Sequence, residues 1–260
     1  MKKYFLFLMF AVFFMPGILS ARVNYLESFN PGHDLAFKSK DWTNHVNTTF
    51  ISDSDFKIID LTYSGFLLIN PYLESGISWS LRRIDPDIAD SETGPSDIAL
   101  GLKYNILKKN DLKKGEPVII TEALISIPNG DSTKALGAGG YGLGLNTIIA
   151  TNFDPIVGSM DFGYTTYTRG NNRREGGVLT YSLFLDWNYS EDIMLIGGIK
   201  GFNNASDKIN NISLDNDADQ IYFVPGINFL VNKKTIISSS IFIGLNNDSA
   251  DIILFAGIEF

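Results

Sequence analysis

The chain of 260 residues contains no cysteine. Disulfide frameworks, thiolate zinc sites, thiol catalysis and a lipid-modified amino-terminal cysteine are therefore excluded. Histidine is almost as scarce: His33 and His45 are the only two, which leaves no material for a His-rich metal site. Basic charge is short as well. Lys and Arg total 21 against 29 Asp and Glu, a net charge of −8, so there is no positive excess to displace the counterions of DNA or RNA. No nucleic-acid partner is expected. What the chain has in quantity is Gly (24), Phe (19) and Tyr (11), a composition that favours strands over helices.

Long apolar helices are also missing. After the first 21 residues, the one charge-free stretch of spanning length is Ala135–Phe153. It carries Gly137, Gly139, Gly140, Gly142 and Gly144 and alternates with Tyr141, Leu143, Leu145 and Thr147, which reads as a strand. The start of the chain reads differently. Lys2 and Lys3 precede an apolar run from Tyr4 to Met15, followed by Pro16-Gly17 and the small residues Ser20 and Ala21. This charged, apolar and cleavable order predicts a secretory signal peptide over 1–21. Its apolar run is too short for a membrane anchor, which needs roughly 20 residues. Removal of Lys2 and Lys3 would leave 19 basic residues against 29 acidic, a net charge of −10.

From residue 55 onward one pattern repeats: alternation of apolar and smaller or polar residues, then a turn, then alternation again. Period 2 puts every second side chain on one face of a strand. Ile98, Leu100, Leu102, Tyr104 and Ile106 share one face, and Ala99, Gly101, Lys103 and Asn105 the other. Leu179, Tyr181, Leu183, Leu185, Trp187 and Tyr189 oppose Thr180, Ser182, Phe184, Asp186 and Asn188. The last segment sets Ile252, Leu254, Ala256, Ile258 and Phe260 against Ile253, Phe255, Gly257 and Glu259. Eleven strands are predicted, near 56–69, 72–83, 96–107, 117–128, 139–153, 156–168, 177–188, 192–203, 219–231, 234–245 and 250–260.

Connections alternate between tight turns, such as Asn70-Pro71, Asp154-Pro155 and Ser190-Glu191, and long polar stretches at 84–95, 129–138, 169–176 and 204–218. The 108–116 connection is long and basic, although its place puts it on the short-turn side. The apolar face lacks charge across mid-strand and often ends in aromatics, as at Trp79, Tyr104, Tyr141 and Trp187. A soluble barrel would invert that order. The pattern predicts an all-β, antiparallel, up-and-down transmembrane barrel of the outer membrane of a Gram-negative-type bacterium. Such barrels use even strand numbers, because an unpaired edge in lipid leaves backbone groups unsatisfied. A twelfth strand is therefore expected first, within 37–51, where Val46, Thr48 and Phe50 alternate weakly. The barrel then spans 37–260, and 22–36 forms a pre-barrel segment, periplasmic or lumenal.

One region resembles a known family. GPSDIALGLKYNIL, ITEALISIPNGD, GAGGYGLGLN and MDFGYTTY, within 94–167, are similar to outer-membrane proteins of the "meta-pathway of phenol degradation" family, often labelled transporters. The family usually has Thr between the Pro and Gly of the second segment; here Asn129 stands there, which also suits a turn before Gly130. The resemblance implies an outer-membrane barrel that passes small hydrophobic, often aromatic, compounds.

On this register the lumen-lining candidates are the acids Asp60, Glu74, Asp97, Glu122, Asp161, Asp186 and Glu259 and the bases Arg82, Lys103 and Lys200. An acidic excess would favour cations in a water-filled pore; paired across strands, the same residues form a structural polar core. Gly140, Gly142 and Gly144 would leave space against the inner wall, for a bend, for packing or for an inserted segment or ligand. Pro225, unable to donate to its ladder, would kink its strand and open a lateral gap for an apolar solute. Phe260 is the expected membrane-insertion terminus, through which the C-terminal strand meets the barrel-assembly machinery. Asp215, Asp217 and Asp219 alternate in a loop and read as solvated rather than as a Ca²⁺ site.

No enzyme is expected. His33 precedes the barrel and His45 begins its weakest strand, so no Ser–His relay is evident. The Gly-rich 137–144 run lacks the Lys-Ser/Thr of a phosphate loop, and no cofactor is expected. The expected partners are outer-membrane lipid, the assembly machinery and a small apolar solute. The alternative is a non-conducting structural or surface-interaction barrel.

Overall fold

The computed structural model describes residues 42–260 apart from 54–55, 71, 88–89, 108–114, 171–172, 210–211, 214–216 and 233–234. The expected signal peptide at 1–21 and pre-barrel segment at 22–36 lie outside these residues, as do His33, Asp215 and most of the 108–116 connection.

Alternating sequence produces long antiparallel strands, and twelve of them close into one barrel. They are β1 (Thr43–Ser52), β2 (Phe56–Asn70), β3 (Leu73–Pro86), β4 (Ile98–Asn105), β5 (Pro117–Ile127) and β6 (Gly142–Asn152). The second half is β7 (Ile156–Tyr167), β8 (Val178–Asn188), β9 (Ile193–Asn204), β10 (Ala218–Asn232), β11 (Thr235–Gly244) and β12 (Ile252–Glu259). Each pairs with its sequence neighbours, and β1 also pairs with β12, which closes the ring. At that seam the Asn44 N–H donates to the Phe260 carbonyl (2.9 Å) and the Phe260 N–H to the Asn44 carbonyl (3.0 Å). Closure satisfies the backbone groups that an open edge would expose to hydrocarbon. Both barrel ends lie at the short-turn rim, as the even strand count requires.

Two strand boundaries differ from the sequence expectation, each for a local reason. The strand expected at 96–107 is shorter, Ile98–Asn105, and a short strand precedes it in the stretch expected as a loop. Glu92–Pro95 forms a short extra strand against the upper half of β3, Ser96 donates its N–H to the Ser80 carbonyl (2.8 Å), and β4 then takes the lower half. The strand expected at 139–153 begins only at Gly142, because Gly139 adopts φ +73° and turns the chain away from the sheet. Gly140 therefore lies outside β6. The outer stretches 169–176 and 204–218, expected as plain loops, contribute Arg173–Arg174, Lys208–Ile209 and Ile212–Ser213 to a small three-stranded sheet.

The two faces of the wall separate cleanly. Leu183, Leu185 and Trp187 are 55%, 59% and 46% exposed, whereas Ser182, Phe184 and Asp186 between them are buried. The exposed apolar row continues around the ring through Leu61, Leu102, Leu143, Phe162, Ile199 and Ile241. Soluble monomers rarely expose apolar patches beyond a few hundred Å². In a bilayer this row is the lipid contact. Trp42, Tyr104, Phe153, Trp187, Tyr189 and Phe260 give the short-turn rim an exposed aromatic girdle, in which Trp187 and Tyr189 meet edge-on at 5.4 Å. Strands of 8 to 15 residues bracket the 9 to 11 or so needed to cross.

Candidate functional site

The inward row of the first strands is charged and hydroxylic. Asp60 on β2 and Arg82 on β3 are cross-strand partners. Arg82 Nε donates to Asp60 Oδ1 and Arg82 Nη2 to Asp60 Oδ2, both at 2.8 Å, a two-point pair buried inside the barrel. Beneath it, the Thr62 and Ser80 hydroxyls lie 2.9 Å apart, and Ser64 donates to Ser78 at 2.9 Å. Glu74, Lys103 and Glu122 then occupy consecutive register pairs across β3, β4 and β5, an acid–base–acid row. Opposite charges facing each other across strands contribute roughly 0.2–1 kcal/mol per pair. The Lys103 ammonium also lies 5.2 Å from the Phe66 ring centroid. His45 completes this end, 3.5 Å from Glu259 and with its ring 4.9 Å from that of Phe66.

Farther round, the Ser182 hydroxyl donates to Asp161, and the other register partner of Ser182 is Lys200, whose ammonium sits 5.5 Å from the Phe202 ring. Asp186 is different. It is buried, and neither carboxylate oxygen has a hydrogen-bond partner. No group of three or more His, Asp or Glu among the described residues is arranged to hold a metal ion.

The later strands carry what the sequence reading overlooked. Phe184, Phe202, Tyr222, Phe242 and Phe255 stand on the inward row of β8 through β12, one on each strand. The Phe202 and Tyr222 rings meet nearly perpendicular at 6.1 Å, and the Tyr222 and Phe242 rings at 6.0 Å. The Tyr222 hydroxyl accepts the Ala250 N–H (3.0 Å), which anchors the middle ring to an outer loop. Val178, Ile196, Val224 and Ile253 surround the rings, and Ile51, Ile58 and Ile84 extend the apolar lining to the outer end of the first three strands. The signal for this was present: a large apolar residue recurs at one inward position per strand.

The remaining candidates fall as follows. Space at Gly142 and Gly144 is filled by the wall itself. A Cβ at Gly142 would lie 3.0 Å from Tyr167 Cε1, and one at Gly144 2.8 Å from Thr165 Oγ1. Gly140, outside the strand, abuts the Thr168 carbonyl. β10 runs unbroken through Pro225, which faces Gly197 on β9. The ladder toward β11 keeps one register above and below the proline, at Phe223↔Ile243 and Gly226↔Ser240. Phe260 is exposed at the seam. Asp97 is buried just above β4, where its carboxylate binds backbone N–H groups of the 128–141 connection.

Comparison with known proteins agrees with this architecture. No curated protein matches the chain significantly. Among solved structures, the COG4313 outer membrane channel from Pseudomonas putida F1 superposes with a TM-score of 0.76 at 13% identity, over 89% of this chain and 99% of that one. The NanC porin superposes with a TM-score of 0.56 at 9% identity, over 84% of this chain and 98% of that one. At these identities the likeness is one of fold, that of outer-membrane barrels. The family model described as "Putative MetA-pathway of phenol degradation" matches residues 28–260, and the chain belongs to that family.

Proposed function

We propose that this barrel is an outer-membrane channel for small, largely apolar solutes, aromatic compounds among them. The observation that carries the reading is the inward aromatic row Phe202–Tyr222–Phe242, with Phe184 and Phe255 beside it. A ring-bearing solute can replace these ring–ring contacts with like contacts. The family's association with phenol degradation supports the same class of solute. The charges on β2 to β5 face counter-charges on neighbouring strands of the wall. At Pro225 the missing N–H weakens the ladder toward β11, and we place the exit of an apolar solute into the bilayer there. Phe260, at the end of the closing strand, is the proposed contact for the barrel-assembly machinery.

Uptake of an aromatic growth substrate by a strain lacking the gene tests this. Slower uptake, restored by the wild-type gene, is expected; unchanged uptake overturns it. A Pro225→Ala variant with undiminished uptake would remove the lateral exit alone. One observation favours a second reading, a non-conducting structural barrel: Val178, Tyr222 and Val224 are completely buried, so that part of the interior is packed solid. Folded protein, confirmed by heat-modifiable gel mobility, that never opens in planar bilayers would select it.

A further inference from the structure

One buried carboxylate gathers both sides of the 128–141 connection at the outer rim. Asp97 Oδ1 accepts the N–H of Asn129 (3.0 Å) and of Gly130 (3.0 Å), and its Oδ2 accepts the N–H of Ala138 (2.8 Å). Asp97 immediately precedes β4, so the acceptor is fixed to the barrel wall. Asn129 adds a second stitch, its Nδ2 donating to the Ser96 carbonyl at 3.2 Å. Between these anchors the chain folds back on itself: the Leu136 N–H donates to the Asp131 carbonyl (3.0 Å), and Ala135 takes φ 56°. Gly137 lies so close to Asp97 that a Cβ there would collide with the carboxylate.

The consequence is the position of Leu136. Its side chain is 3% exposed and belongs to the same apolar cluster as Ile84 and Tyr167. A Cβ at Gly94 would lie 2.7 Å from Leu136 Cδ1. Gly94 is the register partner of Arg82, whose side chain points into the barrel, so Leu136 rests on the inner surface of the wall. On the outside, Lys134 Nζ reaches Glu92 Oε2 at 2.7 Å, an exposed pair that by itself contributes little.

We propose that Leu136 is a gate at the outer mouth and that Asp97 is the positioning residue that latches it shut. This rests on the channel reading, and it places the gate in the same apolar cluster as the inward rings. A carboxylate can serve both sides of the connection at once because each oxygen accepts. An amide in its place keeps one acceptor and turns an N–H₂ donor toward backbone donors, so Asp97→Asn must release Ala138 or the Asn129–Gly130 pair. Leu136→Ala leaves the latch intact and removes only the obstructing side chain.

Two measurements separate latch from gate. Hydrogen exchange over 128–141 in folded Asp97→Asn, with Gly137→Ala as the second latch variant, is expected to be at least tenfold faster than in wild type, with β8 unchanged. Single-channel recordings of Asp97→Asn and Leu136→Ala are expected to show conductance or opening frequency raised severalfold, with Asp97→Glu partly restoring the closed behaviour. Unchanged exchange in both folded latch variants overturns the latch. If wild type conducts and Leu136→Ala conducts no better, the gate is overturned, even where Asp97→Asn fails to fold. Faster exchange with silence from wild type and every variant refutes the channel reading instead, and the gate with it.

Discussion

On β2 to β5 the inward row holds Asp60, Arg82, Glu74, Lys103 and Glu122, while on β8 to β12 it holds Phe184, Phe202, Tyr222, Phe242 and Phe255. The two arcs share strand geometry, strand length and an apolar outer face. Their inner chemistry differs in what predominates: Asp186, Lys200 and Glu259 also face inward on β8 to β12, but only that arc carries a ring on every strand. The outer row is uniform across both arcs, since lipid imposes one rule on every outward position. Inward positions answer only to their neighbours within the ring. On one arc those neighbours are counter-charges in register, and on the other they are rings. Asp186, next to the rings and without a partner, is where the two chemistries collide.

The largest effect is expected from splitting the charged arc. Arg82→Ala leaves Asp60 buried without its two-point partner, and breaking a buried pair costs about 3–5 kcal/mol. Urea unfolding in lipid vesicles should register that loss, and an Asp60→Ala/Arg82→Ala double variant should recover most of it. Full stability in the single variant would mean that water already serves Asp60. Next comes the aromatic arc. Phe242→Ala removes a fully packed ring from the face of Tyr222 and should cost about 3 kcal/mol in the same assay. A negligible loss would show that the rings line open space.

The outer face provides the third contrast. Leu183 points outward from the middle of β8, so Leu183→Lys should cost about 2 kcal/mol through the lipid face. A lysine tolerated there without loss would put position 183 in water. The smallest change is expected at Asp186. Asp186→Asn removes a buried carboxyl that has no hydrogen-bond partner and should match or slightly exceed wild type in stability. A clear destabilisation would reveal a counter-ion at that carboxylate.

Much of this could be read in the sequence, for the physical reason just given. The outward row of β8, Leu179 to Trp187, alternates without exception because those positions face the bilayer and its rim. Tight turns such as Asp154-Pro155 marked one rim, and the even count followed from closure. The interior was less legible. Asp60 and Arg82 could be assigned to the inner face, but their pairing depends on the register between β2 and β3. The rings of β9, β10 and β11 form a row only once three strands are aligned. The break at Ser96–Asp97 and the loss of Gly140 from β6 depend on hydrogen bonds to the 128–141 connection and on the φ of Gly139, neither of which leaves a periodic trace.

A chain without cysteine allows the most direct test of wall orientation: single cysteines placed in turn at positions 179 to 188, each spin-labelled in lipid vesicles. Accessibility to membrane-dissolved oxygen is expected to alternate along β8, high at 179, 181, 183, 185 and 187 and low at the positions between. A flat profile, or one with the opposite phase, would contradict the account.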